Sequence, residues 1–152
     1  MAVNLRGMFL CARAVLPGMM RSGGGSIINI ASIVGLVGVY PRFAASATPY
    51  ASSKAAVAGF TRQLAAEYAA DGIRVNAIAP GWHGGTSLGR ERRAIATPED
   101  IERFENYIIG SVPMRRRGKP EEMDGLVVYL ASDASRYLTG QVIAHDGGVT
   151  AT

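Results

Sequence analysis

Residues 48–81 read T-P-Y-A-S-S-K-A-A-V-A-G-F-T-R-Q-L-A-A-E-Y-A-A-D-G-I-R-V-N-A-I-A-P-G. Pro49 suits the first turn of a helix, where its missing N–H is not needed. The alanine-dominated run from Tyr50 to about Ala70 favours the helix, and Asp71-Gly72 supplies its stop. Ile73 to Ala79 is then β-rich and short, as a buried strand is, and Pro80-Gly81 closes it. A helix of this length feeding a buried strand is the second half of a βαβ unit. Upstream, Ser26 to Ile30 (S-I-I-N-I) supplies the first strand. Two strands joined by a crossover helix lie parallel.

The same alternation extends outward. Leu5, Met8, Phe9, Ala12, Leu16 and Met19 recur at three- and four-residue spacing, which predicts a helix over 5–20, and the Met8, Met19 and Met20 cluster is expected to be core or subunit interface. Ser22-Gly23-Gly24-Gly25 ends it. A loop of small residues runs from the first strand to Thr48, and a polar, glycine-containing loop covers 82–96. Thr97-Pro98-Glu99-Asp100 and Pro120-Glu121-Glu122 are helix starts, with Pro in the first turn and acids near the positive end. The second of these helices is expected to run to about Ala131. Gln141 to His145 reads as a third strand, landing on Asp146-Gly147-Gly148. The expectation is one α/β domain over 1–152, a doubly wound parallel sheet of about three strands with flanking helices.

Composition narrows the function. The 152 residues carry 16 basic and 12 acidic side chains for a net +4, with 48% hydrophobic and 18% charged residues. This is the balance of a globular domain and not of a disordered chain. No apolar run reaches the roughly 18 residues a membrane span needs. Cys11 is the only cysteine, and His83 and His145 are the only histidines, so neither a disulfide framework nor a metal site is expected. The apolar start is interrupted by Arg6 and Arg13, unlike a signal peptide, which makes the cytoplasm the expected compartment. Basic charge comes from 14 Arg and 2 Lys, with clusters at Arg90-Glu91-Arg92-Arg93 and Arg115-Arg116-Arg117 in loops. Without a basic helical stripe or interleaved aromatics, no nucleic-acid partner is expected.

In parallel α/β sheets, ligands gather beyond the carboxyl ends of the strands. Ala31-Ser32, Pro80-Gly81-Trp82 and Asp146-Gly147-Gly148 all fall there. Tyr50 and Lys54, four apart on a helix, share one face. A free phenol holds its proton until about pH 10, and a neighbouring ammonium favours the phenolate, as acid–base exchange at neutral pH requires. A serine hydroxyl at Ser32 is suited to hydrogen-bond a carbonyl or alcohol oxygen held near that phenol, stabilising the charge that develops there. Asn4, inside the first helix, is placed to anchor a water relaying protons from Lys54. A serine-hydrolase arrangement fails on spacing, because Ala51 stands three residues before Lys54, where S-x-x-K needs a serine.

Asn4, the run S-I-I-N-I-A-S ending at Ser32, then Y-A-S-S-K, I-R-V-N-A-I-A-P-G, P-M-R-R-R-G-K-P-E-E and Y-L-T-G-Q-V-I-A-H-D-G-G occur in this order. Over essentially the whole chain, this series resembles the short-chain dehydrogenase/reductase family. The resemblance implies a Rossmann-like fold and an oxidoreductase moving hydride between NAD or NADP and an alcohol or carbonyl substrate. It implies a tetrad in which Tyr50 is the general acid/base, Lys54 supports it and bonds the nicotinamide ribose, Ser32 orients the substrate oxygen and Asn4 holds the relay water. Tyr50 and Lys54 would also be cofactor-binding, Pro80, Gly81 and Thr86 would border the nicotinamide, with Ile78 behind it, and Trp82 and His83 would face substrate. For His83 a solvated loop position is the plainer expectation. For Trp82, lining the pocket and packing the loop are equal alternatives, and His145 is expected to be structural. A homo-oligomer is implied, and the small side chains Ala51, Ala55, Ala58 and Gly59 would admit a second helix.

Departures from the family pattern carry a second expectation. The glycine-rich dinucleotide turn and the N-N-A-G motif are absent, and Met1-Ala2-Val3-Asn4 resembles the middle of a family helix. The sheet is therefore expected to be incomplete, lacking its first half, and the chain to be truncated, with a start lying upstream of Met1. Ser32 and Tyr50 are 18 residues apart, which implies an insertion within residues 33–48. P-G-W-H-G-G-T has one residue more before Thr86 than the family's usual run. The alternative function is an inactive remnant, or an interaction subunit that folds only with a partner chain.

Overall fold

The computed structural model describes residues 2–38, 48–85 and 96–151. A π-helical turn, Ala2–Gly7, leads into α1 (Met8–Arg21), so the first helix begins earlier than its apolar spacing predicts. β1 follows (Gly25–Ile30), then a 3-10 turn, Ile33–Gly35. α2 (Thr48–Tyr68) passes through the 3-10 turn Ala69–Asp71 to Gly72, whose φ of 73° is the left-handed conformation a helix stop wants. β2 (Ile73–Pro80), α3 (Pro98–Ser111), α4 (Asp124–Ala131) and β3 (Val142–His145) complete the order. Thr97 caps α3, its side chain accepting from the amide of Asp100 at 3.1 Å. The predicted helix from Pro120 divides in two: a 3-10 turn, Pro120–Met123, precedes α4.

Sheet order is β1-β2-β3, all parallel. Gly25 stands opposite Ile73 and Ile30 opposite Ile78, while Pro80 stands opposite His145. β2 is thus the central strand, and its two-residue period sends alternate side chains to two different layers. Ile73 and Val75 meet Ala12 and Leu16 of α1 and Leu64 and Ala65 of α2, while Ala77 and Ala79 meet Val57. From the opposite face, Arg74 reaches the end of α4, donating to the carbonyls of Leu130 at 2.9 Å and Ser132 at 3.1 Å. Helices on both faces of a parallel sheet make this a Rossmann-like, doubly wound α/β arrangement.

One packing expectation changes. Ala58 is buried inside this chain and does not belong to an open small-residue face, whereas Ala55 and Gly59 are exposed. Phe9 is half exposed and not part of the core, with the Arg13 guanidinium 5.9 Å from its ring centroid. Among the described residues, no helix is long and apolar enough to cross a membrane.

Candidate active site

The first two turns of α2 carry Tyr50 and Lys54 to the carboxyl end of β1. Lys54 Nζ donates to the carbonyl of Ile30, the last residue of β1, at 2.8 Å. The same nitrogen lies 5.7 Å from the centroid of the Tyr50 ring, within cation–π range. Burial pushes the Lys54 ammonium below the ordinary lysine range. The two side chains therefore face one another, as their i,i+4 spacing predicts.

Ser32 lies two residues beyond Ile30, buried, at the head of the turn Ile33–Gly35. That turn rests directly on α2. A Cβ built on Gly35 would lie 2.5 Å from the carbonyl carbon of Lys54 and 2.6 Å from the amide nitrogen of Ala55. Only glycine admits this approach, so one contact fixes both the strand end bearing Ser32 and the helix bearing Lys54.

Asn4, in the π-helical turn, reaches the same helix by a route that sequence spacing does not reveal. Its Nδ2 donates to Ser53 Oγ at 3.0 Å, and Ser53 Oγ donates to the backbone carbonyl of Tyr50 at 2.7 Å. Ser53 is buried, and it is the residue the sequence reading missed. Its signal was its place three residues after Tyr50 on the helix, where a serine hydroxyl reaches back to the preceding turn. π-turns inside helices occur often at functional sites.

The carboxyl ends of β2 and β3 form a second cluster. Gly81 donates its N–H to the carbonyl of His145 at 3.0 Å. His83 is buried, which corrects the expectation of a solvated histidine: its Nε2 lies 3.1 Å from His145 Nδ1, with the rings inclined at 30° and centroids 5.2 Å apart. Trp82 has contacts on two sides. It meets Phe104 of α3 edge-on at 5.9 Å, and with His83, Met114, Arg116, His145 and Asp146 it lines a cavity of about 530 Å³. Ser32 is not part of that lining. Trp82 Nε1 is buried with no hydrogen-bond partner among the described residues. Partial burial works against the Asp146 carboxylate, but the Thr150 side chain, the amides of Gly148 and Thr150, and His145 together hold it below the usual range. Both carboxylate oxygens are engaged, by the amides of Gly148 at 2.9 Å and Thr150 at 2.8 Å.

Thr86 and the cluster Arg90-Glu91-Arg92-Arg93 lie outside the described residues. The second arginine cluster is engaged within the chain. Arg115 donates to Gly110, Arg116 pairs with Glu122 through two hydrogen bonds of 2.8 and 2.7 Å, and Arg117 pairs with Glu105 at 2.8 and 2.9 Å. Among the described residues no three side chains gather that could hold a metal ion.

A family model described as enoyl-(acyl carrier protein) reductase matches residues 1–150. The chain belongs to the short-chain dehydrogenase/reductase family. Within that oxidoreductase family it is 40% identical over 153 residues to 2-(S)-hydroxypropyl-CoM dehydrogenase 3 of Xanthobacter autotrophicus, covering 99% of this chain and 56% of that protein. It is 41% identical to inactive 2-(S)-hydroxypropyl-CoM dehydrogenase 2 of the same organism, covering 99% of this chain and 62% of that protein. A gluconate 5-dehydrogenase from Burkholderia cenocepacia, crystallised with NADP and tartrate, superimposes with a TM-score of 0.84 at 35% identity, over 99% of this chain and 54% of that one. The chain thus spans little more than half the length of the relatives it matches.

The residues present fit the nicotinamide end of a dinucleotide. An ammonium has three donors, and the structure commits one of those on Lys54 to Ile30, which leaves donors for a ribose diol. At Gly81, beyond the end of the central strand, a Cβ would come within 2.6 Å of the Asp146 Cβ, so close packing on Asp146 by itself requires glycine there.

Proposed function

We propose that this chain carries the proton-transfer and nicotinamide-side machinery of an NAD(P)-dependent alcohol/carbonyl oxidoreductase, working in the cytoplasm as a homo-oligomer. The observation that carries the reading is the Lys54 ammonium, tied to the last carbonyl of β1 and held against the Tyr50 ring. Bound nicotinamide would supply or accept the hydride. Tyr50 gives its hydroxyl proton to the substrate oxygen during reduction and takes one from the alcohol during oxidation. Ser32 donates a hydrogen bond to that same oxygen, where negative charge develops. Lys54 keeps a positive charge beside the phenol and bonds the ribose. Pro80 and Gly81 border the nicotinamide, as Thr86 does by the family resemblance. Asn4 acts on this site through Ser53 and the Tyr50 carbonyl as well as through any water it holds. Trp82 and His83 form the outer wall toward substrate.

A second reading has its own observation. β1 is an edge strand in the described sheet, with Ile30 48% exposed at its end. An open edge of this kind accepts another strand, so the chain could serve as a subunit completed by a partner. Titration of purified protein with reduced nicotinamide dinucleotide, followed by quenching of Trp82, the only tryptophan, separates the two. Saturable binding together with nicotinamide-linked oxidation of secondary alcohols supports the enzyme. Binding that appears only after a second chain is added supports the subunit, and no binding under either condition removes the proposed cofactor role.

A further inference from the structure

The histidine pair has no part in the proton-transfer machinery, yet it joins two segments that border it. His83 stands three residues beyond Pro80, in the turn that carries Trp82, and His145 is the last residue of β3. Their sequence separation is 62, and their facing nitrogens are 3.1 Å apart. Gly118 closes the other side. A Cβ there would lie 2.7 Å from both Cδ2 and Nε2 of the His83 ring, so the ring is wedged between β3 and the segment before Pro120.

A contact of this length needs a proton between the two nitrogens. Two neutral rings supply it, one donating and one accepting, and so does a pair carrying one extra proton. A pair carrying two extra protons does not, because two N–H groups then oppose each other and two positive charges meet at close range. Only the doubly protonated pair therefore breaks the contact. The charged groups around it are few. Asp146 follows His145 on the end of β3, Arg116 comes from the segment leading to Gly118, and Glu122 comes from the turn Pro120–Met123. Arg116 and Glu122 satisfy one another through two hydrogen bonds, and both Asp146 oxygens accept from backbone amides. Asp146 lies close enough to His145 for their charges to interact, but its two oxygens are committed to the amides of Gly148 and Thr150 and not to either ring.

We infer that His145 is a positioning residue for the turn after Pro80-Gly81, a latch that holds the His83 ring, next to Trp82, against the end of β3 at neutral pH and releases it when both rings are protonated, while the backbone of the turn stays paired with Gly118. Its bearing on catalysis rests on the nicotinamide-side reading of Pro80 and Gly81, but the latch itself does not. Trp82 reports on it directly, because it is adjacent to His83 and is the only tryptophan.

The test is Trp82 emission between about pH 8 and about pH 5, with far-UV circular dichroism recorded at every point. The wild-type protein is expected to show a red shift on acidification with unchanged helix content. His145→Asn retains a hydrogen-bonding side chain that does not titrate, and is expected to abolish the shift. His145→Ala is expected to be red-shifted already at neutral pH. A wild-type emission maximum that does not move, or a His145→Asn protein that shifts as the wild type does, overturns the inference. Cofactor titration of the same proteins at neutral pH reads the enzyme proposal separately, so the two can fail independently.

Discussion

Two regions along the carboxyl edge of the described sheet are built differently. At the carboxyl end of β1, functional side chains are anchored to backbone: Lys54 to the carbonyl of Ile30, and Ser53 to the carbonyl of Tyr50. At the carboxyl ends of β2 and β3 the backbone is paired as well, Gly81 with His145 and Gly118 with Trp82, but side chains also hold one another: His83 with His145, Trp82 with Phe104, Arg116 with Glu122. Backbone anchoring fixes a group wherever the strand and helix go, so its position follows from the fold. Side-chain pairing depends on two residues being present at once and on their protonation. One region is suited to hold a proton donor in place, and the other to respond to conditions.

If backbone anchoring matters for chemistry, the largest effect belongs to Lys54. Lys54→Met removes the charge beside the phenol and the bond to Ile30, and nicotinamide-linked turnover is expected to fall roughly 10²- to 10⁴-fold. The sign of the pH effect follows from burial, which lowers the folded-state pKa of Lys54 below its unfolded value. The folded protein therefore sheds this proton first, and between the two values the unfolded state binds more protons. Stability contributed by this group rises with pH through that window. Lys54→Met is expected to lack that alkaline gain in thermal melts, while the wild type loses the ammonium, and with it turnover, at lower pH than an exposed lysine would allow.

Gly35→Ala tests whether the first region depends on close backbone approach. The added methyl meets the backbone of Lys54 and Ala55, which cannot move aside as a side chain could. A destabilisation of about 1–3 kcal/mol is expected, read as a lower denaturation midpoint. Gly118→Ala makes the corresponding test at the second region. Here the methyl meets a histidine ring, which can shift at the expense of its contact with His145. The expected loss is smaller, about 1 kcal/mol, accompanied by red-shifted Trp82 emission at neutral pH. Equal costs without an emission change would erase the contrast between the two regions. Asn4→Ala is expected to have an effect of similar size. It removes one donor to Ser53 Oγ while Ser53 keeps its bond to Tyr50, and about 0.5–1.5 kcal/mol should be lost in chemical denaturation.

What the sequence made legible follows the same division. β1, β2 and β3 appear within a residue of their expected limits, because each is a short β-rich run with turn residues at its ends. Tyr50 and Lys54 face each other because helical spacing alone dictates it. The link from Asn4 through Ser53 was not legible, since it joins residues 49 apart through a π-turn that no apolar periodicity signals. The pairing of His83 with His145 was equally hidden. Register places Pro80 opposite His145, but nothing in the spacing tells that a histidine three residues later folds back instead of facing water. The exposure of Phe9 was hidden for a related reason: its three- and four-residue spacing matches the buried stripe of α1, yet it lies at the edge of that stripe and meets Arg13.

The most direct test of the proton-transfer account is Tyr50→Phe, which removes one oxygen and keeps the ring beside Lys54. Nicotinamide-linked turnover is expected to disappear, while far-UV circular dichroism and dinucleotide affinity stay at wild-type values. Turnover that survives this substitution would contradict the assignment of the phenol as acid and base.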